Sequence, residues 1–279
     1  MVYFTGDTHG EFSRFSNKVL SNMGIKPTKD DVFIICGDFG GIWDDSAHEH
    51  YWLKWLLDKP FTVAFVDGNH ENFDRLNALP VTEKWGGKVH KVQERCYHLM
   101  RNQFYTIQGY TMFTFGGARS HDISGGIVQE VYKDEHGIKM AKLYFPYGSP
   151  LGFQNSVCRY SELPHMAVRF DHKSWWKEEM PSEEELAELR RILQSGTVDV
   201  DFIVTHCAAT NIANRVTRYR SDSDKLSEIF RFVELSPQSL KYKMWCFGHY
   251  HIDTKIGNKM CFYNKVVSAE ALIDKECTL

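Results

Sequence analysis

The chain has 279 residues, 43% hydrophobic and 25% charged, the composition of an ordinary soluble globular protein long enough for one large domain. A formal net charge of −3 supplies no bulk field that would draw it to nucleic acid or to an anionic membrane. No apolar run approaches the roughly 20 residues of a membrane helix, and Met1 leads straight into a strand-like run, so neither a membrane span nor a signal peptide is expected.

The opening stretch VYFTGDTHGEF is an apolar run that drops into a glycine turn carrying Asp7 and His9. EFSRFSNKVLSNMG then reads as a helix, with Phe12, Phe15, Val19 and Leu20 on one face and Gly24 as its stop. DVFIICGDFGG repeats the opening pattern and ends in Asp38; FTVAFVDGNHE does so again and ends in Asn69 and His70. Between them, SAHEHYWLKWLLDK starts with a capping-box pattern, Ser46 with Glu49, ahead of Leu53, Leu56 and Leu57. YTMFTFGGARS has the same strand-to-turn shape but ends in Arg119 and Ser120. SEEELAELRRILQSG repeats the capping box with Ser182 and Glu185, stripes Leu186, Leu189 and Leu193, and stops at Gly196. VDVDFIVTHCA, from Val198, brings in His206, and MWCFGHYHID brings in His249 and His251. Such near-continuous apolar runs read as strands buried on both faces, with the helices covering sheets from outside.

Between Ser120 and Ser182 the pattern dissolves into glycines and aromatics without a clean period. A structureless stretch of that length is uncommon inside a compact domain. It is therefore expected to carry short elements and to form an irregular, cap-like segment at about 120–181 of a single domain, 1–279. The seven cysteines are scattered and show no CxxC spacing, which disfavours a zinc finger or disulfide framework and fits reduced thiols in a cytoplasmic protein.

The polar residues at the strand ends form a set: Asp7 and His9, Asp38, Asn69 and His70, His206, His249 and His251. Asp, Asn and His suit borderline divalent metals such as manganese, iron, zinc or nickel. Glycines beside them permit the tight turns and close backbone approach of a crowded metal site. In extended backbone, residues two apart point to the same side, so Asp7 with His9, and His249 with His251, can converge on one cation or on adjacent ones. His48, His50, His90, His98, His136, His165 and His172 lack this setting and read as ordinary core or surface histidines.

GDTHG, GDFGG, GNHE, THC and GHYH, in that order from position 6 to 251, resemble the five motifs of the calcineurin-like metallophosphoesterase superfamily. The resemblance implies an α/β fold, a four-layer sandwich of two mixed β-sheets flanked by helices, with two divalent cations at the strand ends, manganese foremost. It assigns Asp7, His9 and His251 to the first cation, Asn69, His206 and His249 to the second, and Asp38 to a bridge. His70, beside the metals, would act on the leaving group. Two cations about 4 Å apart can hold a bridging hydroxide and spread the charge of an in-line phosphoryl transfer, and an imidazole suits the departing alkoxide.

In the protein Ser/Thr phosphatase branch the second motif continues into Val-Asp-Arg-Gly, where this chain has GDFGGIWDD. The phosphate-clamping arginine and the carboxylate that orients the leaving-group histidine are thus missing from their usual places, with Asp44 or Asp45 as a stand-in for the latter. Arg119 is a candidate phosphate contact or a surface ion pair. Trp175 and Trp176 are either core or a stacking platform, with core favoured. Glu71 supports a turn or orients a ligand, and Lys91, Arg95 and Arg101 read as solvated charges.

The reading that results is a binuclear metal-dependent hydrolase of a phosphomonoester or phosphodiester, with a small or nucleotide-like substrate. A nuclease of the same superfamily, which near-neutral charge disfavours, and a non-catalytic binding module that keeps the fold are the alternatives. Metal binding needs neutral imidazoles, so affinity and activity are expected to fall toward about pH 5–6.

Overall fold

The apolar runs fold as buried strands. A computed structural model describes residues 1–147, 152, 154–164, 167–194, 199–218, 223–236 and 240–274; the readings placed on His165, Gly196, Val198 and Cys277 lie outside these residues. Strands β1 (Val2–Thr5), β2 (Val32–Ile35), β3 (Thr62–Phe65), β4 (Val81–Lys84), β5 (Gly87–Gln93) and β6 (Cys96–Leu99) come first. They are followed by β7 (Gln103–Ile107), β8 (Tyr110–Phe115), β9 (Ile127–Lys133), β10 (Lys139–Tyr144), β11 (Asn155–Arg159) and β12 (Arg169–Phe170). The remaining strands are β13 (Asp199–Thr205), β14 (Lys241–Phe247), β15 (Thr254–Ile256), β16 (Lys259–Cys261) and β17 (Val267–Ser268). Seven form a sheet in the order β17-β1-β2-β3-β6-β5-β4, and six form a second in the order β15-β16-β14-β13-β8-β7. Both are mixed, with parallel neighbours at the centre and antiparallel strands toward the edges.

Strand alternation assigns the layers. Phe4, Ile34 and Ala64 from the first sheet meet Phe202, Val204 and Cys246 from the second in one core between the sheets, where the Phe4 and Phe202 rings lie 4.7 Å apart. The opposite face of the first sheet, with Phe33, Ile35 and Phe65, packs on Phe12, Phe15, Leu20 and residues of α2 (Ala47–Leu57) and α3 (Phe73–Asn77). The opposite face of the second sheet, with Phe113, Phe115 and Trp245, packs on α4 (Glu183–Gln194), α5 (Thr210–Thr217) and α6 (Lys225–Leu235). The architecture is α/β, with two mixed sheets face to face and helices on both outer sides. Each fully buried leucine in these layers contributes about 1.5–3 kcal/mol by burial.

Local capping departs from the sequence pattern in two places. The single helix expected over residues 11–24 is a 3-10 turn, Ser13–Phe15, followed by a separate helix, Asn17–Asn22. Ser16 is extended (ψ 148°) and its Oγ accepts the Val19 N–H, so a good N-cap residue restarts the helix where one was expected to run through. Glu49 does not close a capping box on Ser46. Its buried Oε2 accepts the N–H groups of Trp43, Asp44 and Asp45 at 2.7–3.0 Å and pairs with Arg75 at 2.7 Å. At the start of α4 the box does form: Ser182 N–H donates to Glu185 at 2.8 Å and Glu185 N–H to Ser182 Oγ at 3.2 Å.

The segment from 120 to 181 carries elements of its own, including a four-stranded sheet in the order β11-β10-β9-β12 around Val128, Ala141, Leu143 and Phe145. Trp175 is buried with Ile123 and Ile127, and Trp176 lies in the outer core of the first sheet, donating Nε1–H to Asp74 at 2.7 Å. Both tryptophans are core residues.

Two of the three supposed solvated charges are structural. Arg101 is buried, its guanidinium donating to Asp67 Oδ2 at 2.6 and 2.9 Å and to Glu185 at 3.1 Å. Arg95 donates to the Leu57 carbonyl and so satisfies the end of α2. Lys91 makes a surface pair with Glu94 at 2.9 Å. The partners of the two arginines come from distant elements, so no local pattern announces them.

Candidate metal centre

The parallel central strands bring their carboxyl ends to one edge, and the loops leaving β1, β2, β3, β13 and β14 converge there from both sheets. The first two loops are joined by backbone hydrogen bonds, His9 N–H to Asp38 O at 2.9 Å and Gly10 N–H to Phe39 O at 2.8 Å. The Glu71 carboxylate then accepts Phe39 N–H at 2.7 Å and Gly40 N–H at 3.1 Å, so Glu71 supports a turn, one of its two expected roles. Arg14 clamps the first loop by donating to the Asp7 carbonyl at 2.6 Å.

Four residues of the set hold left-handed backbone: His9 (φ 47°), Asp38 (49°), His249 (69°) and His251 (51°). Such conformations cost of order 1–3 kcal/mol each for a non-glycine residue and persist only where the surroundings enforce them. Here they turn each side chain inward at the end of its strand. Gly37 (φ +95°) is required beside them, because a Cβ there would lie 2.0 Å from His206 Nδ1.

Asp7, His9 and His251 form one group of potential ligand atoms and Asp7, Asp38 and His206 a second, each within 4.8 Å of one another. His251 Nε2 lies 3.2 Å from His9 Nε2 and 3.1 Å from Asp7 Oδ2. That carboxylate oxygen is buried and accepts no well-formed hydrogen bond, its near neighbour being the His251 imidazole, a setting that a cation between the two would satisfy. Asp38 reaches toward both groups, with Oδ1 3.3 Å from His206 Nε2 and Oδ2 3.9 Å from His9 Nε2. His206 Nδ1 lies 2.8 Å from the Cys36 carbonyl, which can only accept, so Nδ1 carries a proton and Nε2 is the atom turned toward Asp38 and Asn69. Asn69 Oδ1 lies 3.2 Å from that Nε2, and the His249 ring centroid is 4.9 Å from that of His206. All seven expected ligands are thus brought together. The donor set is oxygen and imidazole nitrogen, fit for borderline divalent cations.

Charge is unevenly distributed. Burial depresses the His9, His70 and His249 imidazoles, keeping them neutral. Burial also opposes protonation of His206, yet the Asp38 carboxylate outweighs it and pushes that imidazole up to about 10. His251 is raised by its contact with Asp7. Asp38 is held well below the usual carboxylate range, because His206, His70 and His9 overcome the cost of its burial.

His70 stands 5.3 Å ring to ring from His9, and its backbone N–H donates to Asp38 Oδ1 at 2.8 Å. Neither stand-in carboxylate hydrogen-bonds its ring: Asp45 pairs with His50 and Arg75, and Asp44 accepts the Ser46 N–H. The loop carrying them is gathered onto Glu49 instead. A cavity of about 290 Å³ opens beside His9 and His70, walled by Trp43, His48 and Trp52. Arg119 lies over the Tyr147 ring at 4.1 Å and lines a cleft shared with His121 and His249.

The sequence pattern missed His121 and the buried Glu179. His121 Nε2 lies 2.8 Å from His249 Nε2, and Glu179 holds Ser120, which in turn meets Asn69. The signal for His121 was its place in the glycine turn after β8, six residues past the end of an apolar run that otherwise matched the ligand-bearing ones.

Residues 1–253 match the family described as calcineurin-like phosphoesterase. No curated protein matches the chain. Among the described residues no helix is long and apolar enough to cross a membrane.

Proposed function

The chain belongs to the calcineurin-like phosphoesterase family, and on that premise we propose that it is a binuclear metal-dependent hydrolase of small or nucleotide-like phosphoesters, working as a single domain in the cytoplasm. The observation that carries this reading is the convergence of loops from two sheets on two groups of potential ligand atoms that share the buried Asp7 carboxylate. Asp7, His9 and His251 would hold one cation, and Asn69, His206 and His249 the other. Asp38, reaching toward both groups, would bridge them. When bound, two divalent cations, manganese foremost among manganese, iron, zinc and nickel, would spread the charge of phosphoryl transfer and lower the pKa of water.

The chain's own residues orient the reaction. His70, on the cavity wall, would present its neutral ring N–H to the departing oxygen as a hydrogen-bond donor. Its loop is fixed by the Asp38 carboxylate, so it is placed in register with the bridge. The cavity beside it, walled by Trp43, His48 and Trp52, has room for a small organic leaving group and excludes part of the surrounding water. Glu71 keeps the Gly40 turn from moving as substrate enters.

The test is turnover of p-nitrophenyl phosphate and bis(p-nitrophenyl) phosphate with added manganese, alongside single- and double-stranded DNA. Hydrolysis of either nitrophenyl ester, lost in a His251→Ala variant, is the expected result; cleavage of DNA alone would favour the nuclease. No turnover of any substrate with two cations bound per chain would refute the proposal.

A further inference from the structure

Asn69, His206 and His249, the three residues assigned to the second cation, each have one polar atom held by a specific partner. For His206 the partner is the Cys36 carbonyl. For the other two, the partners are consecutive residues of the loop after β8. Ser120 Oγ lies 3.2 Å from Asn69 Nδ2, and His121 Nε2 lies 2.8 Å from His249 Nε2.

Donor and acceptor chemistry gives each contact a direction. Ser120 is buried, and its single hydroxyl proton goes to Glu179 Oε2 at 2.5 Å. The other Glu179 oxygen accepts Ser120 N–H at 3.0 Å and Tyr147 O–H at 2.9 Å, so three donors favour the ionised carboxylate against the burial that pushes it up to about 7. Ser120 Oγ can then only accept from Asn69, which fixes the amide with NH2 toward Ser120 and Oδ1 toward His206. At the second contact, two imidazole nitrogens at 2.8 Å require one shared proton. If His121 supplied it, His249 would carry its own proton on Nδ1 and have no lone pair left for a metal. His249 is a ligand only as the donor through Nε2–H, which leaves Nδ1 free.

We propose that Ser120 and His121 are positioning residues for the second cation: Ser120 fixes the amide orientation of Asn69, and His121 fixes the tautomer of His249. The inference rests on the two-cation reading above. It explains why the loop GGARSHD, whose strand matches the ligand-bearing ones, ends without a ligand of its own. Outer partners of this kind typically govern metal affinity by about 10–100-fold.

The experiment is calorimetric titration of manganese into the metal-free protein, with cobalt absorption as an independent signature of each site and the metal-free melting temperature as a control. Ser120→Ala and His121→Ala are each expected to weaken one of two sites by about tenfold or more. The other site should stay within about threefold of the parent. His121→Gln, which keeps an acceptor, should restore most of the loss; His121 is exposed, so its variants leave the core untouched. Parent-like affinities in both alanine variants, with two cations bound, would overturn this inference alone. So would equal weakening of both sites with a lowered metal-free melting temperature. A parent chain that binds no cation would overturn the two-cation reading as well.

Discussion

Gly68→Ala isolates the contribution of the central carboxylate. Gly68 carries no positive φ, so alanine meets no backbone penalty there and the effect is steric. A Cβ at this position would lie 2.0 Å from Asp38 Oδ1 and 2.4 Å from the Asp38 backbone nitrogen, against a closest tolerable approach of 3.0 Å. The carboxylate must therefore retreat by about 1 Å, and because the backbone nitrogen is also too close, rotating the side chain gives no relief. Asp38 Oδ1 also receives the His70 N–H and faces His206, so the displacement reaches the bridge, one ligand and the leaving-group residue together. A misplacement of about 1 Å costs of order 100-fold in rate, and overpacking of this kind costs about 1–3 kcal/mol. The expected outcome is kcat/KM toward p-nitrophenyl phosphate down by about 100-fold or more, with Tm lowered by roughly 2–10 °C. Gly86→Ala, where nothing lies within 4 Å of the added Cβ but the backbone is left-handed (φ +88°), should lower Tm while leaving kcat/KM unchanged, and so separates destabilisation from displacement of Asp38. A Gly68→Ala enzyme with parental metal content and parental kcat/KM would refute the placement of Asp38 at the centre of the chemistry.

Arg101→Met should destabilise the fold by about 3–5 kcal/mol, because it leaves Asp67 buried without its main counter-charge, and denaturant titration would show it. Burial opposes ionisation of Asp67, but Arg101 and His98 overcome it and hold that carboxyl well below the usual range. Its contribution is thus present above the unfolded pKa of about 3.9 and lost as pH falls further, so the gap between Arg101→Met and parent should narrow in acid melts. His90 is pushed down to about 4 by burial and by His98, which it meets through Nδ1 at 2.9 Å. Its neutral form is fully populated in folded and unfolded chains above the ordinary imidazole value of 6.5, and stability drains as pH falls from there toward 4. His90→Phe should flatten melting temperature across that interval, and an unchanged slope would count against it. Chelation with excess EDTA should abolish hydrolysis and manganese restore it, with a stability loss of about 2.7 kcal/mol per site relative to free metal at 100 times Kd; activity that survives complete metal removal would contradict the reading.

The ligand-bearing loops were legible because everything that makes them is local. In DVFIICGDFGG the apolar run, the glycine and the carboxylate lie within a few residues, and the same holds for FTVAFVDGNHE and MWCFGHYHID. The helices of the outer layers were equally visible where a leucine stripe followed a cap, as in α4. What stayed hidden depends on partners far along the chain. Arg101 looked solvated because Asp67 and Glu185 belong to other elements, and Glu49 looked like a cap because its reach back to three loop amides is a tertiary event. His121 was passed over because its meaning lies in His249, 128 residues away. The left-handed backbone of His9, Asp38, His249 and His251 was only weakly legible, since Asp and His adopt it more often than most residues but far less freely than glycine.

The placement of β17 against β1 affects how the polypeptide is made. Tyr3 pairs with Ser268, so β1 keeps one flank bare until a strand 265 residues further along has been translated. An uncovered strand flank invites pairing with another nascent chain. Biogenesis is therefore exposed to mispairing throughout that interval, and a ribosome that slows between the two strands would lengthen it.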